Sequence, residues 1–466
     1  MLDIKFIRDN QEAVKKAIKD KGINLNLDEF LDLDARRRDF LTEMESLKAT
    51  KNKFSKEIAG LSEEEKKVKL LEMKEVDDRE TQMKSKLNRI TGDYERLMSL
   101  LPNIPSVETP VGPDESANVP WSYWSPSLGN VDPKDKDAVE QIPTKFNFEP
   151  KDHVFLAKNL DLLDTERGVK ISGFRGYYLK NEAVLMQYGL IWHALKKMRE
   201  KGFTLMVPPV LVKEFALFGS GHFPFGREQI YGISFHGQNE EDEGKVKIKD
   251  ELELDAGKKD PLYLAGTSEP SLLAYYSDTT ISEKDLPIKL CGVSSCYRSE
   301  IGSYGKDAKG LYRVHEFMKV EQMVICSADT IESENWLEKL REISQEMLMD
   351  LKLPHRVLNI CTGDMGAGKY KMYDLETWMP ARKGYGETHS DSHLGDWQAR
   401  RLNIKYKGKD GKSKFAYTLN NTVIASPRIL IPILENYQQA DGSVVVPEVL
   451  KPYVGTDIIK PPAKPK

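Results

Sequence analysis

The sequence predicts an α+β protein in which a long antiparallel helical hairpin precedes a sheet-centred domain with flanking helices. Two patterns indicate this class. The region 28–101 contains no proline and repeats its apolar residues every seven positions, as paired long helices do. From Thr204 onward, short apolar runs alternate with turn residues and with two or three helical stretches, which is typical of a sheet covered by helices.

Length, composition and charge describe a soluble globular chain. Its 466 residues suffice for two or three domains; 30% are charged, 39% are hydrophobic and the formal net charge is −4. This balance leaves nucleic-acid binding open, because binding depends on where the basic residues lie. The sequence has no run of eighteen apolar residues, and its start, Met1–Lys5, lacks a signal-peptide pattern. We therefore expect a cytoplasmic protein without a membrane span.

The N-terminal region is expected to open with a strand and a helix over Met1–Lys21 and then to form two long helices. Their apolar residues recur at heptad spacing, namely Leu33, Phe40, Leu47 and Phe54, then Val76, Met83, Ile90 and Leu97. Between them, Ala59–Ser62 gives a helix stop, and Glu63–Glu65 suits the first turn of a new helix. We expect an antiparallel hairpin over about 28–101, with arms roughly 45 Å long at 1.5 Å per residue.

Lysines cluster toward the expected tip of this hairpin, at Lys48, Lys51, Lys53, Lys56, Lys66, Lys67 and Lys69. The ordinary interpretation is a solvated face with interleaved glutamates. The functional alternative is a surface that follows the phosphates of structured RNA, recognised by shape. Pro102 and Pro105 end the second helix, which places a domain boundary near residue 105 and divides 1–105 from 106–466.

Beyond the boundary, a proline-rich loop leads to helical segments around 150–168 and 183–201. The charged stretch 237–260 predicts an exposed hairpin or flap.

Three further patterns are interpreted as structural. The cysteines show no zinc-ligand spacing, so buried free thiols are expected at Cys291, Cys296, Cys326 and Cys361. Gly363–Lys369 nearly matches a phosphate-binding loop, but Tyr370 stands where a serine or threonine would bind Mg²⁺, and no strong helix pattern follows. We interpret it as a turn. Asn420–Thr422 fits a glycosylation sequon, which carries little weight without a secretory signal.

The segment Cys296–Glu321 is the most informative for chemistry. It predicts a strand, a loop punctuated by glycines and a second strand, which brings Arg298, Arg313 and Phe317 near one concave surface. Arginine binds phosphate or carboxylate with two hydrogen bonds, a carboxylate can select an amine, and an aromatic ring can carry a nucleobase. Together these demands indicate an adenylate.

Three other segments extend this chemistry. Thr267 and Glu269 suit an ammonium group, and the stretch from Glu387 to Ser390 offers oxygen ligands for a hard cation. Arg428 stands near a predicted helix start, where phosphate oxygens bind well. Each segment alone is more simply a helix cap or a surface residue. Together they indicate activation of an amino acid by ATP, a reaction that depends on positioning and charge neutralisation more than on a nucleophile with its base.

The chain resembles the seryl-tRNA synthetases, which are class II aminoacyl-tRNA synthetases, over essentially its full length. The opening residues 1–10 with the hairpin resemble the family's tRNA-binding arm. The class II motifs occur in the correct order, at Phe203–Pro209 for motif 1, Arg298–Glu321 for motif 2, and Asn420–Arg428 with Ile433–Gln438 for motif 3. The stretch Gln398–Tyr406 is also closely similar.

This resemblance implies an antiparallel class II sheet and a homodimer. It implies ATP, L-serine and tRNA(Ser) as substrates and Mg²⁺ as cofactor, and it leaves open whether selenocysteine tRNA is charged. Catalytic roles would fall to Arg298 on the α-phosphate and the serine carboxylate, Glu300 on the adenine amine and Arg428 on the γ-phosphate.

The serine-binding residues implied in this way are Thr267, Ser268, Glu269, Arg298, Glu321, Asn420 and Thr422. Those implied for ATP are Arg298, Ser299, Glu300, Arg313, Val314, Phe317 (stacked on the adenine), Glu387, Thr388, His389, Ser390 and Arg428. Glu387 and Ser390 would ligate the metal.

The sequence departs from the family pattern at two positions. His389 follows the metal-binding carboxylate as either a spacer or an extra ligand, and we interpret it as a spacer because Mg²⁺ prefers oxygen. Glu316 replaces the usual glutamine and would add negative charge beside the ATP site. Two other functions stay open at this point. One is a catalytically inactive paralogue that binds RNA, and the other is a ligase that loads an amino acid onto a carrier protein.

Overall fold

The computed structural model describes residues 1–58, 62–234, 261–301 and 310–462. These residues form two compact units, Met1–Ile104 and Pro105–Lys466. Most of the helix stop expected at Ala59–Ser62, all of the charged stretch 237–260 with its expected flap, and most of the loop inside the segment Cys296–Glu321 lie outside the described residues.

The first unit is helical in its described part, with α1 at Ile4–Asp9, α2 at Gln11–Asp20, α3 at Leu27–Glu57 and α4 at Glu63–Leu100. The strand expected at the opening is wrong. The Asp3 carboxylate accepts hydrogen bonds from the backbone N–H groups of Lys5 and Phe6, so it caps a helix that begins at Ile4. Glu65 likewise accepts from the backbone N–H of Ser62 at the start of α4.

Helices α3 and α4 pair as antiparallel arms. Lys51 of α3 forms an ion pair with Asp77 of α4 at 2.6 Å, and the Lys69 ammonium lies 3.8 Å from the centre of the Phe54 ring. As the residue number increases along α3, the number of its contact partner in α4 decreases, which is the antiparallel arrangement. The base of the unit is apolar, with a core that includes Ile7, Val14, Phe30, Met98 and Leu101.

The second unit combines sheets and helices. Its helices are α5 (Lys136–Val139), α6 (His153–Asn159), α7 (Thr165–Ser172), α8 (Glu182–Glu200), α9 (Glu214–Ser220), α10 (Glu269–Ala274), α11 (Thr330–Asp350), α12 (Trp397–Leu402), α13 (Leu430–Tyr437) and α14 (Lys451–Val454).

Its strands are β1 (Val119–Ser125), β2 (Gly129–Val131), β3 (Leu163–Asp164), β4 (Tyr178–Leu179), β5 (Thr204–Met206), β6 (Leu211–Lys213), β7 (Gly232–Ile233), β8 (Leu262–Leu264), β9 (Thr280–Ser282), β10 (Ile288–Tyr297), β11 (Glu316–Cys326), β12 (His355–Asn359), β13 (Lys371–Met379), β14 (Gly384–Gly395), β15 (Lys405–Lys407), β16 (Ser413–Phe415), β17 (Tyr417–Ser426), β18 (Val444–Val445) and β19 (Ile458–Ile459).

Within the described residues, nine strands form the main sheet in the order β2-β1-β12-β13-β14-β17-β11-β10-β5. Neighbours are antiparallel throughout, except that β5 runs parallel to β10 at one edge. This arrangement confirms the predicted α+β class with an antiparallel sheet.

Helix α11 packs on one face of the centre of the sheet. Gln322 of β11 and Asn421 of β17 both point to this side and donate hydrogen bonds to the backbone carbonyl of Leu340. Because side chains alternate along a strand, the neighbouring residues of β11 and β17 face the other side. That opposite face carries the candidate site.

Two structural interpretations from the sequence are confirmed. The stretch Gly363–Lys369 forms turns between β12 and β13 with no helix after it, so it is not a phosphate-binding loop of that class. The four cysteines are buried and free. Among the helices described, none combines the length and the apolar character needed to cross a bilayer.

Candidate active site

A cavity opens on the face of the main sheet away from α11. Its floor is built from alternate residues of three adjacent strands, namely Phe317, Lys319 and Glu321 of β11, Asn420 and Thr422 of β17, and Ser390 and Ser392 of β14. The two-residue period of a strand explains why these side chains share one face.

Two bulges adjust this alternation. On β14, Glu387 pairs with Glu376 and His389 pairs with Leu375, so Thr388 is an extra residue without an opposite partner. In a regular strand Glu387 and Ser390 would face opposite sides, because they are three positions apart. The bulge at Thr388 brings both to the cavity. The register of β17 against β11 shifts in the same way at Val423, so Ala425 reaches the cavity wall together with Thr422.

One end of the cavity is lined by arginines that backbone carbonyls hold in place. Arg298 Nε donates to Gly266 O at 3.2 Å, and its guanidinium lies 5.3 Å from the centre of the Phe317 ring. Arg428 Nε donates to Tyr312 O at 3.0 Å, and its Nη1 lies 3.3 Å from the Glu387 carboxylate. A guanidinium has five N–H donors in a fixed fork, so an arginine held through Nε can still present Nη groups to phosphate oxygens.

Glu300 sits at this end between two arginines. Its Oε2 lies 3.2 Å from Arg313 Nη1 and 4.0 Å from Arg175 Nη1, and Arg175 also donates to the Glu300 backbone carbonyl at 3.1 Å. Glu300 adopts a φ of 52°, in the left-handed region that non-glycine residues seldom occupy. The contact with Arg175 was not predicted, because Arg175 lies far from the motif in sequence.

The other end of the cavity holds two buried carboxylates. Glu321 is 2% exposed and lies 2.6 Å from the Lys319 ammonium. Burial raises the pKa of Glu321, and the nearby Lys319 opposes this shift. Glu269 Oε1 accepts hydrogen bonds from Gln398 Nε2 at 2.6 Å and Asn420 Nδ2 at 3.0 Å. A pair of oriented, buried carboxylates is suited to an ammonium and a hydroxyl.

Two hydroxyls in the same wall have no partner within the described part of the chain. Thr267 Oγ1 and Ser392 Oγ are buried, yet neither is hydrogen-bonded there. Since buried polar atoms are nearly always hydrogen-bonded, such atoms in a cavity wall indicate a ligand that binds them.

Most of the predicted site residues line this cavity, and three do not. Those in its wall are Thr267, Glu269, Arg298, Glu300, Arg313, Val314, Phe317, Glu321, Glu387, Thr388, Ser390, Asn420, Thr422 and Arg428. The Ser268 hydroxyl bonds Ser294 Oγ instead, and Ser299 donates to the Glu228 carbonyl.

His389, also assigned to ATP, points into the core. Its side chain is 1% exposed and bonds the Val423 carbonyl at 3.1 Å and Thr388 Oγ1 at 2.9 Å. Its interpretation as a spacer thus fits its position, and an ATP contact through its ring does not. The charge of Glu316 is also away from the cavity wall. Glu316 is exposed, and its carboxylate accepts from the Tyr297 hydroxyl at 3.3 Å.

Sequence reasoning missed several cavity residues, above all His222, Lys319 and Lys369. Burial lowers the pKa of His222 to about 4, so its imidazole is neutral at physiological pH, and Nδ1 lies 2.9 Å from Ser220 Oγ. Lys319 follows Phe317 at strand spacing and could have been found by applying the period of two. Lys369 belongs to the turn that was interpreted as structural, and only the fold brings it to the site.

The wall also fits a magnesium ion. Glu387 offers a carboxylate and Ser390 a hydroxyl on the same side of β14. No group of three or more histidine, cysteine or acidic side chains within the described ranges is placed to hold a metal. Mg²⁺ commonly takes one or two protein oxygens and completes its shell with water and substrate phosphates, so this donor set suits it.

Known proteins match the chain in both of its units. Residues 251–437 match the family model "tRNA synthetase class II core domain (G, H, P, S and T)", and residues 1–105 match "Seryl-tRNA synthetase N-terminal domain". A serine--tRNA ligase from Treponema denticola is 39% identical over 463 residues, which cover 98% of this chain and 100% of that protein.

Two solved structures are also similar over nearly the whole chain. Seryl-tRNA synthetase from Pyrococcus horikoshii complexed with ATP has a TM-score of 0.82 and 36% identity, covering 99% of this chain and all of that one. Cytoplasmic serine-tRNA ligase from Naegleria fowleri in complex with AMP has a TM-score of 0.79 and 28% identity, covering 99% of each chain.

The antiparallel sheet and its arginine-lined cavity, together with the matched core, define a class II aminoacyl-tRNA synthetase domain. Because the matches to seryl-tRNA synthetases extend over nearly the full length, the chain belongs to the seryl-tRNA synthetase family.

Proposed function

We propose that the protein is an ATP-dependent serine--tRNA ligase, which converts L-serine and ATP to seryl-adenylate and then transfers serine to the 3′ end of tRNA(Ser). The observation that carries this proposal is one cavity with guanidinium groups at one end and buried carboxylates at the other. Phosphates and an amino acid with its hydroxyl and ammonium groups find complementary charges there. The similar Pyrococcus horikoshii protein, solved with ATP, supports ATP as the nucleotide.

In the first step a serine carboxylate oxygen attacks the α-phosphorus of ATP. A new phosphorus–oxygen bond forms, and the bond to the leaving pyrophosphate breaks. Arg298 binds the serine carboxylate and the α-phosphate, while Arg428 binds the γ-phosphate. Mg²⁺ held by Glu387 and Ser390 would neutralise pyrophosphate charge. The protein thus supplies alignment and countercharge, and phosphoryl transfer of this kind needs little else.

Serine is selected at the carboxylate end. Glu269 and Thr267 receive the ammonium, and Glu321 with Thr422 and Asn420 surrounds the side-chain hydroxyl. Alanine would leave the buried Glu321 carboxylate without its hydrogen bond, which is a costly state for a desolvated charge. Threonine is excluded by the lack of space for its methyl group.

In the second step a ribose hydroxyl at the tRNA 3′ end attacks the seryl carbonyl. The ester bond forms, and the bond to the phosphate breaks with AMP as the leaving group. The hairpin of α3 and α4 is the part of the chain that we assign to the tRNA. Lys51, Lys53 and Lys69 already pair with acidic residues of the hairpin itself, so Lys48, Lys56 and Lys67 are the better candidates for phosphate contacts.

We also propose that the protein acts as a cytoplasmic homodimer. Apolar side chains are exposed together on α8 and around β5, including Trp192 at 62% and Val207 at 84% exposure. Tyr188 and Leu185 extend this surface along the same side of α8. Monomeric proteins seldom expose adjacent large apolar residues in this way, which favours a partner protomer at this surface.

Serine-dependent exchange of pyrophosphate into ATP, followed by tRNA charging, tests the function. Exchange and charging with serine are the expected results. Absence of exchange with every amino acid would leave an inactive RNA-binding paralogue, and exchange without charging would favour a carrier-protein ligase.

A deletion of residues 30–100 tests the assignment of the hairpin. The two compact units have separate cores, so the truncated protein should still form the adenylate and should lose tRNA charging. Charging at the rate of the full chain would contradict the role proposed for the hairpin.

A further inference from the structure

We propose that Gln398 is a positioning residue for the amino acid substrate, and that α12 holds the serine end of the cavity in place through it. This inference rests on the proposed function, because it concerns how that site is oriented. Gln398 is fully buried and does not itself line the cavity. It lies directly behind Glu269, which does.

The hydrogen bonds of Gln398 fix which way its amide points. The Thr418 hydroxyl donates to Gln398 Oε1 at 2.7 Å, so Oε1 is the acceptor. Nε2 then uses its two hydrogens on the Ser220 carbonyl at 2.8 Å and Glu269 Oε1 at 2.6 Å. Both amide hydrogens are used, and reversing the amide would bring its oxygen against a carbonyl and a carboxylate.

This orientation determines how Glu269 meets a ligand. Oε1 receives two amide donors, from Gln398 and from Asn420. The carboxylate plane is thereby set by residues of α12 and β17. The charge of Glu269 is thus aimed at the place where the ammonium of serine would bind, without a loss of rotamer freedom on binding.

Helix α12 also forms hydrogen bonds to the segment that places His222 in the cavity wall. Arg401, one turn beyond Gln398, donates to the Phe218 carbonyl at 2.9 Å and the Phe223 carbonyl at 3.1 Å. The end of α9 and the turn after it fit α12 closely, because a Cβ at Gly219 would lie 2.3 Å from Leu402 and one at Gly221 would lie 2.5 Å from Trp397. Gln398 and Arg401 therefore position Glu269 and His222 as one unit.

The variants Gln398→Met and Gln398→Glu test this role in the full-length protein. Methionine keeps the length but makes none of the three hydrogen bonds, and glutamate faces Glu269 with a second carboxylate. We expect KM for serine in pyrophosphate exchange to rise about tenfold or more, while KM for ATP stays within about twofold. Arg400→Gln is the matched control, because Arg400 lies on the same helix and forms an ion pair with Asp396 away from the cavity.

A binding measurement gives a readout that does not depend on turnover. Calorimetry compares seryl-sulfamoyl-adenosine with sulfamoyl-adenosine, which lacks the seryl group. Gln398→Met should weaken the first ligand at least as much as KM rises and leave the second nearly unchanged. In combination with Glu269→Gln, it should add no further loss, since both changes act on the same carboxylate.

Thr418→Val provides a second route if the Gln398 variants do not fold. It removes the hydroxyl that orients the amide, and we expect a smaller shift of KM for serine in the same direction. Equal changes in both KM values, or no change in any folded variant, would overturn the positioning role. Wild-type protein is first tested for serine-dependent exchange. Absence of exchange in the wild type would contradict the proposed function itself, whereas the variants test only the role of Gln398.

Discussion

The two ends of the cavity hold their charged groups in different ways. At the end assigned to the phosphates, Arg298 and Arg428 are held through Nε by backbone carbonyls, and both guanidinium groups line the cavity. At the end assigned to serine, Glu269 and Glu321 are buried and fixed by other side chains, Gln398, Asn420 and Lys319. The difference shows how affinity and selectivity are divided. Arginine guanidinium groups donate hydrogen bonds to any phosphate of suitable geometry. A buried carboxylate instead lowers the affinity for a ligand that leaves it unpaired.

The largest effect is expected at Arg298, because it is proposed to contact both the serine carboxylate and the α-phosphate. Arg298→Ala should lower kcat/KM for pyrophosphate exchange by about 10³-fold, roughly 4 kcal/mol of transition-state stabilisation. Arg298→Lys is the control, since it keeps the charge without the planar fork. We expect it to recover less than about a tenth of the wild-type rate. A lysine variant as active as wild type would show that charge alone suffices, and the contrast between the ends would weaken.

Glu321→Gln should affect the serine end alone. KM for serine is expected to rise about 100-fold, and KM for ATP should change by less than about threefold. Burial raises the pKa of Glu321 above its ordinary value of 4.5, so activity with serine should fall as the pH decreases through a value above 4.5. This acidic limb should be missing in the pH profile of the variant. An equal loss of ATP affinity would mean that the ends are not independent.

Ser390→Ala should act only at the phosphate end. With one oxygen ligand removed, the Mg²⁺ concentration that gives half-maximal exchange should rise about tenfold, while KM for serine stays constant. Metal titrations of exchange activity measure this directly. An unchanged magnesium dependence would exclude Ser390 as a ligand.

A separate effect concerns stability and its dependence on pH, and it arises from buried histidines because arginines keep their charge throughout the usual pH range. The pKa of His222 is lowered to about 4 by burial, against 6.5 in the unfolded chain. Between these values the unfolded state binds a proton that the folded state does not, so the free energy of unfolding rises with pH.

His222→Gln should reduce that slope by up to about 1.4 kcal/mol per pH unit between pH 4 and 6.5. Denaturant unfolding at several pH values measures it. His355→Gln should reduce the slope similarly, because burial also lowers the pKa of His355 to about 4. Parallel curves for wild type and both variants would contradict this account.

Sequence reasoning reached most of the cavity because its residues lie in compact motifs. Arg298, Phe317 and Glu321 occur within one strand-loop-strand segment, so local spacing alone indicates a shared surface. Likewise the heptads of α3 and α4 repeat often enough to predict long paired helices. Residues that are close in sequence and spaced in this way are also close in the folded structure.

Other features depend on packing that no local pattern records. His222 reaches the cavity because glycines let its turn approach α12, and Arg175 meets Glu300 from 125 residues away. The bulge at Thr388 determines which side of the sheet His389 faces, so the position of the His389 ring could not be predicted from residue spacing. The opening strand failed for a simpler reason, since Asp3 is an N-cap that the apolar pattern did not reveal.

The strand β5 forms one edge of the main sheet and is only three residues long. So short an edge offers few backbone groups for pairing with another chain, but the exposed apolar residues Leu205 and Val207 leave it prone to association. Variants designed to separate the proposed protomers should therefore precipitate more readily than they yield well-behaved monomers. Solubility during purification would then report on whether this edge is covered, before any measurement of mass is made.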